Sequence, residues 1–332
     1  MSSSLSSSSP SPSPIHLKTL QTSSPSVKFI EKLTDNEKRD FLNSFDLVFC
    51  DCDGVIWHNL YDIIPGASDA IQYLRDNGKK VVFVTNNSIS STKDQLRKFS
   101  TSNIPVEEQD LIHPAKTISD FLKDQDFKGL ILCFASSAFK QHLRDSGFDV
   151  VEECFTFPSQ QKERLIDGSV MDLHKAIYNK DPVKAVVIDI DFNLTAWKLM
   201  RAQVLLKNPE CLFIAGAADP RIPFGGHELL GPGAFMYIVE EANQRKAKVF
   251  GKPGAELGEL LKSSFQIKDP KRVLMVGDSL RSDIQFGKEC GFQTLLVLTG
   301  AVEEKHLESQ QLNELNSPDY VIEKLADLKN LI

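Results

Sequence analysis

Leu47-Val48-Phe49-Cys50 is an apolar run that passes directly into Asp51-Cys52-Asp53-Gly54-Val55, two carboxylates one residue apart followed by a glycine. A buried strand ending on paired acids suits few architectures. In open α/β sheets ligands bind outside the carboxyl ends of the strands, so the pattern aims Asp51 and Asp53 at a site. The strand period of two places both acids on one side and turns Cys50 and Cys52 to the other. An Asp-x-Asp pair also caps helices and turns loops, so its meaning depends on the rest of the chain.

Three further strand ends carry matching equipment. Lys80 to Val84 is a second apolar strand, and it stops at Thr85-Asn86-Asn87-Ser88, small polar side chains with backbone N–H groups suited to a phosphate oxygen. Lys248-Val249-Phe250 leads into Gly251-Lys252-Pro253, a rigid turn that fixes one ammonium ahead of a helix starting near Ala255. Arg272 to Val276 runs into Gly277-Asp278-Ser279-Leu280-Arg281-Ser282-Asp283, which delivers a carboxylate at a strand end and another at a helix start. Singly, each has a structural reading as cap, turn or surface residue.

Together, and in this order, these pieces resemble the four motifs of the haloacid dehalogenase superfamily of phosphohydrolases. Asp51 to Trp57, Pro65-Gly66-Ala67, Val84 to Ser88, Gly251-Lys252-Pro253, Gly277-Asp278 and Leu296 to Gly300 look like its 4-nitrophenylphosphatase branch, which includes phosphoglycolate and pyridoxal phosphatases. The likeness spans about Leu33 to Ile332. It implies an α/β fold: a Rossmann-like, mostly parallel sheet core with an inserted α/β cap domain. The core is expected over 28–126 and 250–332 and the cap over 127–249, with strands near Gly129–Phe134, Ala185–Ile188 and Leu212–Ile214 and a helix over Ser137–Asp145 closed by Gly147.

The chemistry follows from residue types. A carboxylate with an ordinary pKa of about 3.9 is ionised at neutral pH, so Asp51 needs no base to attack phosphorus. Two anions repel, and cations must let them meet and must stabilise the equatorial oxygens. Lys252 supplies one. The resemblance implies Mg2+ as the other, held by Asp51, the backbone carbonyl of Asp53, and Asp278; few carboxylates with several waters suit magnesium better than calcium. Asp53 then acts as general acid and base for the leaving oxygen and for water, its titration coupled to that of Asp51. Asp283 orients Lys252 or a metal-bound water, or is simply an N-cap. Thr85, Asn86 and Asn87, with Lys252, hold the transferring phosphate. The acid at position 53 favours phosphate esters over halides, which leave without a proton.

Composition narrows the partners. The 332 residues are 41% hydrophobic and 25% charged, ordinary values for a globular enzyme of about two domains. A net charge of −7 without a long basic run argues against nucleic acid, and no run approaches the roughly 18 apolar residues of a membrane span. Cys50, Cys52, Cys133, Cys154, Cys211 and Cys290 are scattered through apolar stretches and read as reduced, buried thiols of a cytoplasmic protein. The expected partner is a small phosphorylated metabolite, with a homodimer through the cap as the protein contact. Pyridoxal phosphate or a phosphoprotein as substrate, or phosphate binding without turnover, are the alternatives.

Two segments depart from the pattern. Residues 1–27 are Ser/Pro-rich and have almost nothing to bury, so they are expected to be disordered; without a basic amphipathic face they read as a cytosolic tail rather than a transit peptide. After Leu212-Phe213-Ile214-Ala215 the branch usually carries Thr-Asn-x-Asp, whereas this chain has Gly216-Ala217-Ala218-Asp219, with Ile222 where a histidine is expected and His227 the nearest histidine. Either Gly216 to Ala218 pack a tight cap turn, or donors facing the substrate are missing. The second reading favours phosphoglycolate or another small ester over pyridoxal phosphate. Deleting residues 1–26 is expected to leave melting temperature and kcat/KM unchanged; a large loss in either would show that the tail docks.

Overall fold

The computed structural model describes residues 27–58, 62–151, 170–178, 180–224, 227–302, 307 and 312–331. Of the expected tail only Val27 falls among these, and Cys154 lies outside them. Seven parallel strands form the core sheet in the order Lys28–Phe29, Tyr320–Ile322, Gln293–Val297, Val273–Gly277, Leu47–Cys50, Lys80–Val84, Leu111–Ile112. From the interior strand Leu47–Cys50 the chain proceeds to one neighbour, Lys80–Val84, and only after the cap to the other, Val273–Gly277. That is the topological switch point at which such sheets open a crevice. It brings Asp51, Thr85 and Asp278 side by side.

Both faces of the sheet are covered, which is why its strands are nearly unbroken apolar runs. Val48 and Cys50 pack with Cys52, Val81, Phe83, Leu274 and Val276 on one face. Phe49, Val82, Val84 and Met275 pack on the other against Leu257, Leu261 and Phe286. The alternation read from the sequence is therefore present. Cys50 and Cys52 lie in apolar packing while the flanking acids are left for the site.

Four parallel strands make the cap sheet, ordered Lys248–Val249, Leu212–Ala215, Val183–Ile188, Leu130–Phe134. The helix Ser137–Asp145 begins where Ser136 accepts the Phe139 N–H at 3.1 Å, and Gly147 follows it with φ 92°. The apolar packing of the cap extends beyond 127–249. Ala115, Ile118 and Leu122 of the helix Pro114–Asp124 share a cluster with Ile131, Cys133, Val187, Ile214 and Phe250. Leu111–Ile112 still pairs in the core sheet, so the change of layer falls at His113 and Pro114. His227 sits in an antiparallel hairpin of Arg221–Phe224 with His227–Leu230, where Ile222 is opposite Leu229.

Cys50, Cys52, Cys133, Cys211 and Cys290 are free and buried. Among the described residues no helix is long and apolar enough to cross a membrane. Phe49 is fully buried, with the Phe265 and Phe292 rings 5.5 and 5.6 Å away. Phe49→Ala is expected to lower unfolding free energy by about 3–5 kcal/mol. Urea denaturation measures it, and a loss of under about 1 kcal/mol would show that this face repacks freely.

Candidate active site

Asp51 leaves the interior strand with its N–H bonded to Val276 O at 2.9 Å, which fixes its backbone to the neighbouring strand. Its Oδ1 is 2.6 Å from Lys252 Nζ, and the same ammonium is 2.6 Å from Asp283 Oδ1. Lys252 is only 2% exposed. Asp283 is also tied on its other side, where Oδ2 accepts the N–H groups of Asp278 and Ser279 at 3.1 and 3.0 Å. Of the two roles open for Asp283, positioning Lys252 is the one this geometry gives. The turn Leu280–Ile284 is capped instead by Ser279, whose hydroxyl accepts the Ser282 N–H at 3.2 Å.

Glycines make these approaches possible. A Cβ on Gly277 would overlap the Asp283 carboxylate, and one on Gly54 or Gly300 would overlap Asp278. Gly54 additionally has φ 84°, which disfavours a side chain on its own account. Asp278 Oδ2 accepts the Ala301 N–H at 2.7 Å, and Thr299 donates to Gly54 O at 2.6 Å. The loop after the strand Gln293–Val297 thus holds both acid-bearing turns together.

Burial pushes the Asp51 carboxyl well above its ordinary value, with Lys252 opposing and Asp283 and Asp278 pushing the same way. Asp278 is pushed up to about 7, chiefly by burial and then by Asp283. Burial alone would push Lys252 down, but Asp283 and Asp51 outweigh it and hold the ammonium protonated. One buried cation thus faces three acids, Asp51, Asp278 and Asp283, and a further cation would relieve the excess negative charge.

Carboxylate oxygens of Asp51, Asp278 and Asp283 lie within 4.8 Å of one another, a compact all-oxygen donor set of the kind a hard divalent ion takes. Both Asp283 oxygens are already engaged, which leaves Asp51 and Asp278 as the carboxylates to hold such an ion. The side chain of Asp53 is outside this group, in keeping with a contribution through its backbone carbonyl.

Asp53 is more open, with its side chain 37% exposed. Asn87 donates to Asp53 Oδ2 at 3.3 Å, and Lys98 Nζ stands 3.4 Å from Oδ1 and 4.0 Å from the centre of the Trp57 ring. Sequence reasoning missed Lys98, which looks like one more surface lysine of the helix Thr92–Thr101. Thr85 is buried, and its hydroxyl accepts the Asn87 N–H at 3.0 Å, shaping the turn expected to receive phosphate.

The side chain of Asn86 is engaged with the turn that carries Lys252. Its Oδ1 accepts the Lys252 N–H at 2.8 Å, while Nδ2 donates to Lys252 O at 2.9 Å and to Asp219 Oδ2 at 2.7 Å. The amide therefore clamps the backbone of Lys252 and links it to the cap. Ser136 of the cap donates to Ser88 O at 2.8 Å, and Ser88 donates to the buried cap acid Asp189.

Gly216 also has a steric explanation. A Cβ there would overlap Asp189 Oδ2, so the residue is small because a carboxylate from the neighbouring strand fills its space. That carboxylate is an acceptor, so it accounts for the small residue at 216 without replacing the donors absent from Gly216 to Ala218.

Comparison with known proteins agrees with this geometry. The haloacid dehalogenase-like hydrolase family matches residues 48–149, and a second, HAD-hydrolase-like, matches 249–328. A 4-nitrophenylphosphatase of Schizosaccharomyces pombe is 30% identical over 305 residues, covering 88% of this chain and 96% of its own. Human chronophin is 31% identical over 307 residues, covering 90% and 97%. The crystal structure of a 4-nitrophenylphosphatase from Thermotoga maritima superposes with a TM-score of 0.70 at 24% identity, covering 87% and 98%. The chain belongs to the haloacid dehalogenase-like hydrolases. Within them it is a phosphatase of the 4-nitrophenylphosphatase type.

The acid cluster sets a pH dependence. The folded chain holds the Asp278 proton more tightly than the unfolded chain, so stability falls as pH rises from the ordinary 3.8 through about 7. Metal-free Asp278→Asn is therefore expected to melt a few degrees above the metal-free parent at alkaline pH and to lose that advantage near pH 4. Scanning calorimetry with chelator reads the difference; a variant less stable than the parent at alkaline pH would contradict it.

Proposed function

We propose that this phosphatase hydrolyses small phosphate monoesters, 4-nitrophenyl phosphate and phosphoglycolate among them, in a magnesium-dependent reaction through a phosphoaspartate on Asp51. The observation that carries the reading is the buried Lys252 ammonium 2.6 Å from both Asp51 and Asp283, with Asp278 in the same oxygen cluster. Such a cluster is costly to bury and suits a centre that must bring a carboxylate to a phosphate.

Asp51 attacks phosphorus through a carboxylate oxygen, and the bond from phosphorus to the ester oxygen breaks. Asp53 transfers its proton to that leaving oxygen, so an alcohol departs. In the second half Asp53 takes a proton from water, whose oxygen attacks phosphorus; the bond to Asp51 breaks and inorganic phosphate is released. Lys252 meets the negative charge throughout, and Asn86 holds it in place from its backbone. Asn87 and Lys98 orient the Asp53 carboxylate toward the leaving oxygen. Magnesium, when held by Asp51, Asp278 and the Asp53 carbonyl, supplies the remaining positive charge on the phosphoryl oxygens.

Hydrogen bonds from Asn86 to Asp219 and from Ser136 to Ser88 bring the cap onto the phosphate-holding turn. A site roofed in this way supports small metabolites over folded phosphoproteins. Buried free thiols support a cytosolic setting.

Asp51→Asn is expected to abolish magnesium-stimulated hydrolysis of 4-nitrophenyl phosphate while keeping the parent's circular dichroism. Chelation of the parent should do the same reversibly. Appreciable turnover by the variant, or activity indifferent to chelator, would overturn the reading.

A further inference from the structure

Asp189 lies at the end of the cap strand Val183–Ile188, in the turn that meets the phosphate-holding loop. Its N–H donates to Phe134 O at 2.7 Å. Its Oδ1 accepts the Ser88 hydroxyl and, at 2.6 Å, the Ile190 N–H. Its Oδ2 is buried and meets no hydrogen-bond partner among the described residues, although Asp189 as a whole is only 1% exposed. A buried carboxylate oxygen without a donor is uncommon enough to need a reason.

The surroundings place this oxygen in the roof of the site. Gly216 N–H donates to Ile188 O at 2.9 Å, which sets the ends of the two cap strands side by side. The Asp189 carboxylate occupies the space in which a side chain at 216 would stand. Gly216 O in turn rests so closely on Gly251 that a Cβ there would overlap it, so the pair sits against the turn that carries Lys252. Burial raises the Asp189 pKa to about 6 against the lowering effect of the Ser88 and Ile190 hydrogen bonds, and the charge of Asp219, which bonds Asn86, adds a smaller rise. Ser88 bonds Asp189 on one side, the Lys252 turn lies against Gly216 on the other, and Asp219 stands near it.

We propose that Asp189 is a specificity-determining residue, its unpartnered oxygen accepting a hydrogen bond from a hydroxyl or ammonium group on the alcohol part of the substrate. The inference rests on the phosphatase reading above and narrows it. An arriving donor satisfies a buried oxygen that has no hydrogen-bond partner among the described residues, and such a site discriminates strongly against esters that lack the donor. A carboxylate in the same place meets like charge from Asp189 and Asp219. Esters ending in a carboxylate are therefore the poorer substrates.

The test compares phosphoethanolamine, glycerol 3-phosphate and phosphoglycolate with magnesium at a pH well above 6, for the parent and for Asp189→Asn. Asparagine keeps the volume and can accept from Ser88 through its amide oxygen, but it presents an N–H where the free oxygen stood. The parent is expected to show kcat/KM for phosphoethanolamine at least about tenfold above that for phosphoglycolate, with glycerol 3-phosphate between. Asp189→Asn is expected to reduce that ratio about tenfold or more, mainly through KM, with phosphoglycolate improving in absolute terms. A purely structural role would lower all three substrates together, and that outcome overturns the proposal. A parent that prefers phosphoglycolate overturns it without any variant, so a variant that fails to fold leaves a decisive measurement. Failure of the parent to hydrolyse 4-nitrophenyl phosphate would instead remove the phosphatase reading and this inference with it.

Discussion

An ammonium confined between two carboxylates and shut off from water organises this molecule. Lys252 is fixed on both sides, by Asp51 and by Asp283, and its backbone is clamped by Asn86. Taking these charges out of water costs several kcal/mol per ion before their mutual attraction offsets it. The arrangement is braced by further hydrogen bonds around it. Asp283 accepts two backbone N–H groups, Asp278 accepts one from Ala301, and glycines at 54, 277 and 300 admit carboxylates where a Cβ would collide. Stability is given up here for a centre ready to neutralise a phosphoryl group, as active sites commonly require.

The fold's part is to make four distant segments converge. Parallel pairing places Leu47–Cys50 between Lys80–Val84 and Val273–Gly277, so that the turns carrying Asp51, Thr85 and Asp278 emerge together at one edge. The cap then reaches the same edge from above. Asp219 bonds Asn86, and Asn86 bonds Lys252, so the position of the cap and the position of the buried ammonium are joined by one side chain. Movement of the cap away from Asn86 would loosen the clamp on the turn that presents the ammonium.

Much of this was legible in the sequence, for a physical reason. Strands buried on both faces are apolar throughout, so a run that stops on Asp-x-Asp-Gly, Thr-Asn-Asn-Ser or Gly-Asp marks both the strand and its functional end. What escaped were contacts between residues far apart in the chain. The hold of Asn86 on the Lys252 backbone was hidden because the two residues are 166 positions apart. Lys98 carries no local signal, and only the folded chain sets it beside Asp53 and Trp57. Gly216 was visible as an oddity, but its meaning resides in Asp189 on the neighbouring strand. The outer limit of the cap was blurred likewise, because the helix Pro114–Asp124 follows a core strand yet buries Ile118 and Leu122 against the cap sheet.

The central claim is that Asp51, held against Lys252, is the atom donor to phosphorus. Rapid acid quench during turnover of a phosphate ester, followed by peptide mass spectrometry, tests it most directly. The account expects a hydroxylamine-sensitive phosphoryl group on the peptide that contains Asp51, formed in the presence of magnesium and released when substrate is exhausted. Turnover at full rate with no such adduct, or an adduct on another residue, would contradict it.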